Sequence, residues 1–311
     1  EAMRTQRHDY LTKLDAKEKR ALPIVASATG AEVERPRGKR PPAAFVQGEA
    51  RRYRFAYTKI GKSAFLSHLD LIRALPRAFR RCDLPLFYSS GFHPKPDMMF
   101  GPALSLGVAS LAEIIDVKVT CDLDPSEQLA ALSAGSPEGV RFFAGVRLGP
   151  RDAAVSRTIE GARYAVCIPR AVLASRGGED WLRERANALR AATESRVMRR
   201  IDGVGKWVDV RAFLRQIAVG DARAAQAAAE AGFVGDLVPV LVDLDIGNAG
   251  TAKISEVVQS LSPDDPLEYA AVRIGLGAFR GEELVSPVDA GELSTVRAAY
   301  DGCAPSSMRS T

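Results

Sequence analysis

The order of the patterned segments constrains the fold of this chain more than any other feature. Across residues 53–146, apolar side chains recur at every second position in some segments and at helical spacing in others. Four segments alternate as half-buried strands do, starting near residues 53, 86, 113 and 140, and two helices are predicted after Ser67 and Asp124. The order strand, helix, strand, strand, helix, strand is that of the ferredoxin-like, or split βαβ, arrangement. Pro76 predicts a kink or an early end in the first helix.

The second half of the chain repeats this order less regularly, with a predicted hairpin at residues 197–213 and an Ala-rich short helix at 222–231. We therefore predict an α+β protein with tandem ferredoxin-like domains, in which antiparallel sheets carry helices on one face. The predicted parts are a charged N-terminal segment and linker over 1–52, a first domain over 53–150, a second domain over 151–289 and a C-terminal tail over 290–311.

Length and composition are typical of a soluble globular protein with two domains. The 311 residues are 46% hydrophobic and 26% charged, and no apolar run reaches membrane-spanning length. The N-terminus lacks the apolar stretch of a signal peptide, so we expect a cytoplasmic protein that does not act at a membrane. Met3 could be the natural start, or the chain could belong to a longer polypeptide.

The four cysteines do not form a recognisable metal or cluster motif. They are scattered along the chain and no pair has CxxC spacing. The CxxxCxxC triplet typical of a radical SAM iron–sulfur site is missing, and the histidines have no HxH or HxxxH spacing. We therefore expect no metal site in this chain and no cofactor bound by it.

Positive charge is concentrated in residues 51–100, which hold ten lysines and arginines against three aspartates. Such a segment attracts phosphate or another anionic partner, although a solvated helix face has the same composition. Aromatic residues lie among the basic ones, a mixture that suits base stacking and phosphate contact on single-stranded RNA. The predicted phosphate contacts are Arg54, Lys62, Arg73, Arg77, Arg80 and Lys95, and the predicted stacking residues are Tyr88 and Phe92.

Two of the three histidines are candidates for catalysis. His68 follows Ser67 at the predicted helix start, where exposed N–H groups bind anions and an imidazole could act as a general base. His93 lies in the sequence Gly-Phe-His-Pro-Lys-Pro, whose prolines stiffen the loop and display His93 and Lys95. Both histidines also have ordinary structural interpretations, one beside a helix cap and the other in a plain loop between strands.

Several long sequence words match those of a known family. They are Arg54-Phe55, Phe65-Leu66-Ser67-His68-Leu69-Asp70-Leu71, Leu84-Pro85, Gly91-Phe92-His93-Pro94-Lys95-Pro96 and Leu104-Ser105-Leu106-Gly107-Val108. On these words the chain resembles the radical SAM-linked family, a domain of unknown function found beside or fused to cobalamin-binding-type radical SAM proteins. The resemblance implies that the radical chemistry belongs to a partner or to a preceding domain, which would carry a 4Fe-4S cluster, SAM and cobalamin.

Three functions follow as hypotheses. The leading one is an accessory RNA-binding or substrate-presenting module that works with a radical SAM enzyme in tRNA or ribosomal RNA modification. The second is a metal-independent endoribonuclease, with His68 as general base and His93 or Lys95 as the acid or phosphate stabiliser. The third is a purely structural partner domain of a radical SAM protein. The distance between the two imidazoles separates the enzyme from the binding surface, because both must reach one substrate.

Overall fold

The computed structural model describes residues 46–90, 92–201, 203–247 and 250–289. Most of the predicted N-terminal segment and the predicted tail lie outside these ranges. In the first half the elements are strand β1 (Arg51–Lys59), a short 3-10 helix (Gly61–Phe65), helix α1 (His68–Arg81), β2 (Met98–Phe100), β3 (Ala109–Val119), α2 (Pro125–Ala134) and β4 (Phe142–Leu148).

The second half has more elements than the first. They are α3 (Val155–Thr158), β5 (Gly161–Pro169), α4 (Arg170–Ala174), α5 (Gly178–Ala191), β6 (Arg196–Ile201), β7 (Val204–Asp209), β8 (Leu214–Val219), α6 (Ala222–Glu230), β9 (Leu237–Asp245), α7 (Ile254–Leu261), β10 (Ala270–Arg280) and β11 (Glu283–Val285).

One large, mostly antiparallel sheet runs through both halves and confirms the mixed α and β character predicted from the sequence. Its strands follow the order β4-β1-β3-β10-β5-β9-β8, with β2 added to β3 and β11 added to β10. Among the described strands, β3 and β10 form the single parallel pair, through Val272 opposite Ala109 and Arg273 opposite Ser110. This pair joins the two predicted domains edge to edge.

Three local predictions differ from the structure. The strand expected at residues 86–88 is reduced to isolated bridges, from Leu86 to Val119 and from Tyr88 to Pro96, and the named strand β2 lies ten residues later. Strand β8 was not predicted, because its short segment shows little alternation. Helix α1 continues past Pro76 to Arg81, since the buried proline ring packs in the core and tertiary contacts offset the lost hydrogen bond.

Helices cover both faces of the second half, which corrects the prediction that they lie on one face. Helices α5 and α7 pack on the side of the sheet that carries Val166 and Val240. Helix α6 packs on the opposite side, against Ala165 and Leu241. Its alanines are small enough to let the helix approach the sheet closely. In the first half, α1 and α2 share one face with the aromatic side chains of β1.

A buried charged cluster lies at the junction of the two halves. Arg273 is 1% exposed. Its guanidinium donates two hydrogen bonds to the Glu113 carboxylate, one of them from Nε. A further hydrogen bond joins the guanidinium to the Pro102 carbonyl at 3.1 Å. Burial lowers the pKa of the nearby Lys59 ammonium, which donates to the Ala64 carbonyl at 3.2 Å. Because Glu113 is on β3 and Arg273 is on β10, the ion pair ties the halves together.

Candidate nucleic-acid interface

The start of helix α1 is a capping box built by Ser67 and Asp70. The Ser67 hydroxyl accepts from the Asp70 backbone N–H at 3.2 Å, and the Asp70 carboxylate accepts from the Ser67 N–H at 2.9 Å. Hydrogen bonds from Ser67 lower the pKa of the Asp70 carboxyl. The predicted cap is confirmed, and the Asp70 carboxylate is occupied by the cap. His68, the first residue of the helix, packs its ring edge-on against Phe100 with centroids 5.5 Å apart.

The loop that carries His93 is closed at its base by several hydrogen bonds. Ser89 N–H donates to the Lys95 carbonyl at 2.8 Å, and Lys95 N–H donates to the Ser89 hydroxyl at 3.1 Å. Gln47 pairs with both backbone groups of Tyr88, at 2.6 and 2.8 Å. Beyond this base Phe92, His93 and Lys95 are exposed, with Phe92 at 73%. A fixed base therefore presents an aromatic, an imidazole and an ammonium to solvent.

The described residues show no hydrogen bond or ring contact between His68 and His93. His68 is held against Phe100, whereas the base of the His93 loop, at Lys95, precedes Phe100 by five residues in the sequence. Within the described residues, His93 makes no hydrogen bond, ion pair or ring contact. The hydrogen-bond reach that joint acid–base work needs is therefore not present between these two imidazoles.

Three predicted phosphate contacts lie along the exposed side of α1. Arg73, Arg77 and Arg80, here called the α1 basic face, follow one another at spacings of four and three residues and are all exposed. The Arg80 guanidinium donates to the Tyr88 hydroxyl at 3.1 Å and lies 5.8 Å from the centre of that ring. This contact brings the α1 basic face next to the loop that displays Phe92.

Two other predicted phosphate contacts have different positions. Lys62 is exposed in the 3-10 helix and lies 3.7 Å from Glu138, a surface ion pair that leaves the ammonium accessible. Arg54 is 2% exposed, and its guanidinium donates to both carboxylate oxygens of Asp116, at 2.6 and 2.9 Å, and to the Ala153 carbonyl. The prediction that Arg54 binds phosphate is therefore wrong, because its donors are used inside the protein.

A cleft that the sequence did not indicate lies over this buried ion pair. Its volume is about 580 Å³, and its wall includes four basic residues, Arg52, Lys118, Arg151 and Arg157, together with Asp97 and Asp152. Lys118 pairs with Asp97 at 2.6 Å. Arg151 and Arg157 are exposed and make no side-chain ion pair with any described residue. The residues that line the cleft come from four separate segments, so spacing in sequence could not reveal it.

An apolar patch adjoins the N-terminal end of α1. Phe65, Leu69 and Leu106 are 70, 62 and 66% exposed, and Ile72 follows Leu69 on the same side of the helix. The Gly107 N–H donates to the Ala64 carbonyl at 3.0 Å, which places the neighbouring Leu106 close to Phe65. The exposed side of α1 is thus apolar at its start and basic toward its end. Contiguous exposed apolar side chains of this size are typical of an interaction surface.

The part of the chain that the structure describes contains neither a cluster of metal-ligating side chains nor a helix that could span a membrane. No three His, Cys, Asp or Glu side chains there lie close enough together to hold a metal ion. No helix there has both the length and the apolar character needed to cross a bilayer.

Comparison with known proteins identifies a family. A search of curated proteins finds no match. A family described as an uncharacterized protein conserved in bacteria, DUF2344, matches residues 52–239. The matched range begins in β1, includes the capping box, the α1 basic face and the 89–95 loop, and extends to β9. Since the match covers more than half of its length, this chain belongs to the DUF2344 family.

Proposed function

We propose that this protein is an accessory RNA-binding module that presents an RNA substrate to a radical SAM enzyme. The observation that carries the proposal is the joint exposure of the α1 basic face and the aromatic loop beside it. Phe92 offers a flat apolar surface on which a base can stack, and Lys95 and the α1 arginines supply charge for the phosphates. The Arg80–Tyr88 contact keeps the two parts adjacent.

The form of the surface favours single-stranded RNA over a duplex. Phe92 protrudes from a loop and is 73% exposed, so a base can reach its ring only if that base is unstacked. Bases in loops and single strands are already free to stack on aromatic side chains, whereas a duplex must first be opened. We therefore infer an RNA loop or end as the ligand.

The radical SAM partner is part of the proposal and rests on the sequence words that suggested it. We also propose that the halves descend from one ferredoxin-like unit. The strand orders β4-β1-β3-β2 and β10-β5-β9-β8, antiparallel throughout, support this interpretation. The endoribonuclease hypothesis has less support, because His68 packs against Phe100 and makes no contact with His93 among the described residues.

The test of RNA binding is its dependence on salt. A triple variant, Arg73→Gln, Arg77→Gln and Arg80→Gln, removes three exposed charges from one side of α1. If each of the three contacts a phosphate of single-stranded RNA, the slope of log affinity against log salt falls by about 0.7 per contact. Fluorescence anisotropy with a labelled single-stranded RNA measures this slope.

A second triple variant with the same charge change provides the control. Arg183, Arg190 and Arg280 are exposed residues of the second half, on α5 and β10, and their replacement by Gln should leave the slope near that of the original protein. Equal slopes for the two triple variants would mean that charge alone, and not the α1 basic face, attracts RNA. An unchanged affinity of the α1 variant at every salt concentration would refute the proposal.

The apolar patch favours a second candidate function, a docking domain for a radical SAM protein. Phe65, Leu69, Ile72 and Leu106 expose more apolar surface than scattered surface residues do. Affinity capture of the full chain from its native host, followed by mass spectrometry, would then recover a radical SAM protein. Leu69→Ser with Ile72→Ser should lower that recovery, and a recovery equal to that of the original protein would contradict docking at this patch.

A further inference from the structure

The hairpin formed by β6 and β7 stands apart from the large sheet. Its two strands pair only with each other, with Arg196 opposite Asp209, Met198 opposite Trp207 and Arg200 opposite Gly205. Residues directly opposite in an antiparallel pair point to the same side, so the hairpin has two distinct faces. One face contains Val197 and Val208, and the other contains Met198 and Trp207.

The inner face fixes the hairpin to the rest of the protein. Val197 and Val208 are buried at 5 and 7% exposure. Arg199 on the same face donates to both carboxylate oxygens of Glu256 on α7, at 2.6 and 2.7 Å, and to the Thr251 carbonyl. This bidentate pair is partly buried and has the geometry of a strong ion pair. The hairpin is therefore held in place, and its outer face has a defined position.

The outer face combines an aromatic platform with positive charge. Trp207 is 60% exposed and Met198, directly across the hairpin, is 40% exposed. Arg196 and Arg200 flank Met198 on the same face of β6, and both are exposed. Arg200 makes no side-chain hydrogen bond or ion pair within the described residues, and the ion pair of Arg196 with Glu194 is at the surface. Surface ion pairs of this kind contribute little and exchange readily for a phosphate.

We propose that the outer face of the β6–β7 hairpin binds single-stranded RNA. A base stacks on the indole of Trp207 beside the Met198 side chain, and the guanidinium groups of Arg196 and Arg200 contact the phosphates on either side. Gly205, opposite Arg200, leaves room for the Met198 side chain, whose sulfur lies over this position. The outer face of the hairpin and the α1 basic face belong to different elements. The inference rests on the proposed function in one respect, that the ligand is RNA.

The charges favour RNA over a protein partner as the occupant. The described acidic side chains on or beside this face are Asp209, which accepts hydrogen bonds from the N–H groups of Ser195 and Arg211, and Glu194, which pairs with Arg196. Arg200 has no ion-pair partner among the described residues, so its positive charge is available to a phosphate. A hydrophobic protein interface would instead leave Trp207 and Met198 surrounded by neutral residues.

The chain allows a direct measurement at Trp207. It contains two tryptophans, and Trp181 packs partly buried against the core of the second half. Trp181→Phe leaves Trp207 as the single tryptophan, so a base stacked on its indole quenches the tryptophan fluorescence. Titration of this variant with oligouridylate should give saturable quenching. Absence of quenching at an RNA concentration that saturates anisotropy would overturn the proposal.

Variants at Trp207 separate stacking from general apolar contact. Trp207→Leu should weaken RNA binding roughly 5- to 150-fold, which corresponds to the loss of one stacked base, and Trp207→Phe should restore most of the affinity. Because Trp207 is largely exposed, both variants should unfold at nearly the same temperature as the original protein. Equal affinities for Leu and Phe at this position would show that stacking is not the interaction.

Fluorescence quenching also distinguishes failure of the hairpin proposal from failure of the proposed RNA binding at the α1 basic face. The Arg73, Arg77 and Arg80 triple variant, combined with Trp181→Phe, should still show quenching at low salt if the hairpin binds RNA by itself. Quenching that disappears with that triple variant would overturn an independent hairpin site while supporting the α1 surface. A protein captured through Trp207 from a lysate, without RNA-dependent quenching, would likewise overturn the proposal.

Discussion

At the scale of single residues, Arg54 shows how alternation in sequence can mislead. Tyr53, Arg54 and Phe55 alternate as if one face of β1 were in water, and the arginine was therefore predicted to bind phosphate. The strand is buried on both faces, because α3 and the segment before it cover the side that carries Arg54 and Asp116. The ion pair is consequently an interior feature, which no local pattern can reveal.

Removal of one partner of this pair should be far more costly than removal of both. Asp116→Leu leaves the Arg54 charge buried without a partner and should lower the free energy of unfolding by about 3–5 kcal/mol. Arg54→Met combined with Asp116→Leu should recover most of that loss, because no uncompensated charge then remains. Urea denaturation measures both values. If the double variant has no higher free energy of unfolding than the Asp116 single variant, the pair stabilises the protein through its hydrogen-bond geometry and not through its charge balance.

Cys167 provides a second prediction at the scale of a residue. Burial raises the pKa of its thiol to about 11, so almost no thiolate is present at pH 8. Iodoacetamide should therefore label Cys82 and Cys121, which are half-buried, before Cys167. Peptide mapping by mass spectrometry identifies the labelled positions, and urea should remove the difference. Equal labelling rates in the native protein would contradict the buried position of Cys167.

At the scale of elements, helix α1 was the part that sequence described best. Ser67 followed by Asp70 is a local signal, and a capping box depends only on atoms within one turn, so its residues predict it directly. Its outer face was less predictable. The sequence showed the basic residues, but their position next to the 89–95 loop depends on the contact between Arg80 of α1 and Tyr88.

The capping box can be tested at Ser67. Ser67→Ala removes the hydroxyl that accepts from the Asp70 N–H, and should cost about 1 kcal/mol of stability. The pKa of Asp70 should rise toward the ordinary value of an aspartate, since the hydroxyl of Ser67 no longer donates to its carboxylate. Urea denaturation and NMR titration of Asp70 measure the two effects.

Ser126 provides the matched control, because its hydroxyl donates to the carboxylate of Asp124, the cap of the other helix α2, and makes no bond to Asp70. Ser126→Ala should leave the pKa of Asp70 unchanged. A shift of the Asp70 pKa in both variants would mean that the effect does not arise from the capping box.

At the scale of the whole molecule, the continuous sheet predicts cooperative unfolding. The two halves share the β3–β10 pair and the buried Arg273–Glu113 ion pair, so separation of the halves exposes a sheet edge and leaves two charges unpaired. Residues 46–289 should therefore unfold in one transition, seen at the same urea concentration by circular dichroism and by tryptophan fluorescence.

Expression of the halves separately provides the complementary test. Residues 46–150 and 151–289, each produced alone, should be less protected from hydrogen exchange along β3 and β10 than the same strands in the full chain. Two well-separated transitions in the full chain, or a fully protected isolated half, would show that the halves are independent domains.

The sequence by itself determined the local elements: three of the four strands of the first half, the capped start of α1, the hairpin at β6 and β7 and the charge along residues 51–100. These depend on periodicity and on hydrogen bonds within a few residues. Only the tertiary structure decided that Arg54 is interior, that helices cover both faces of the second half and that β3 joins β10. Each of these depends on contacts between segments far apart in the chain, whose free energy comes from burial and charge pairing that no local pattern encodes.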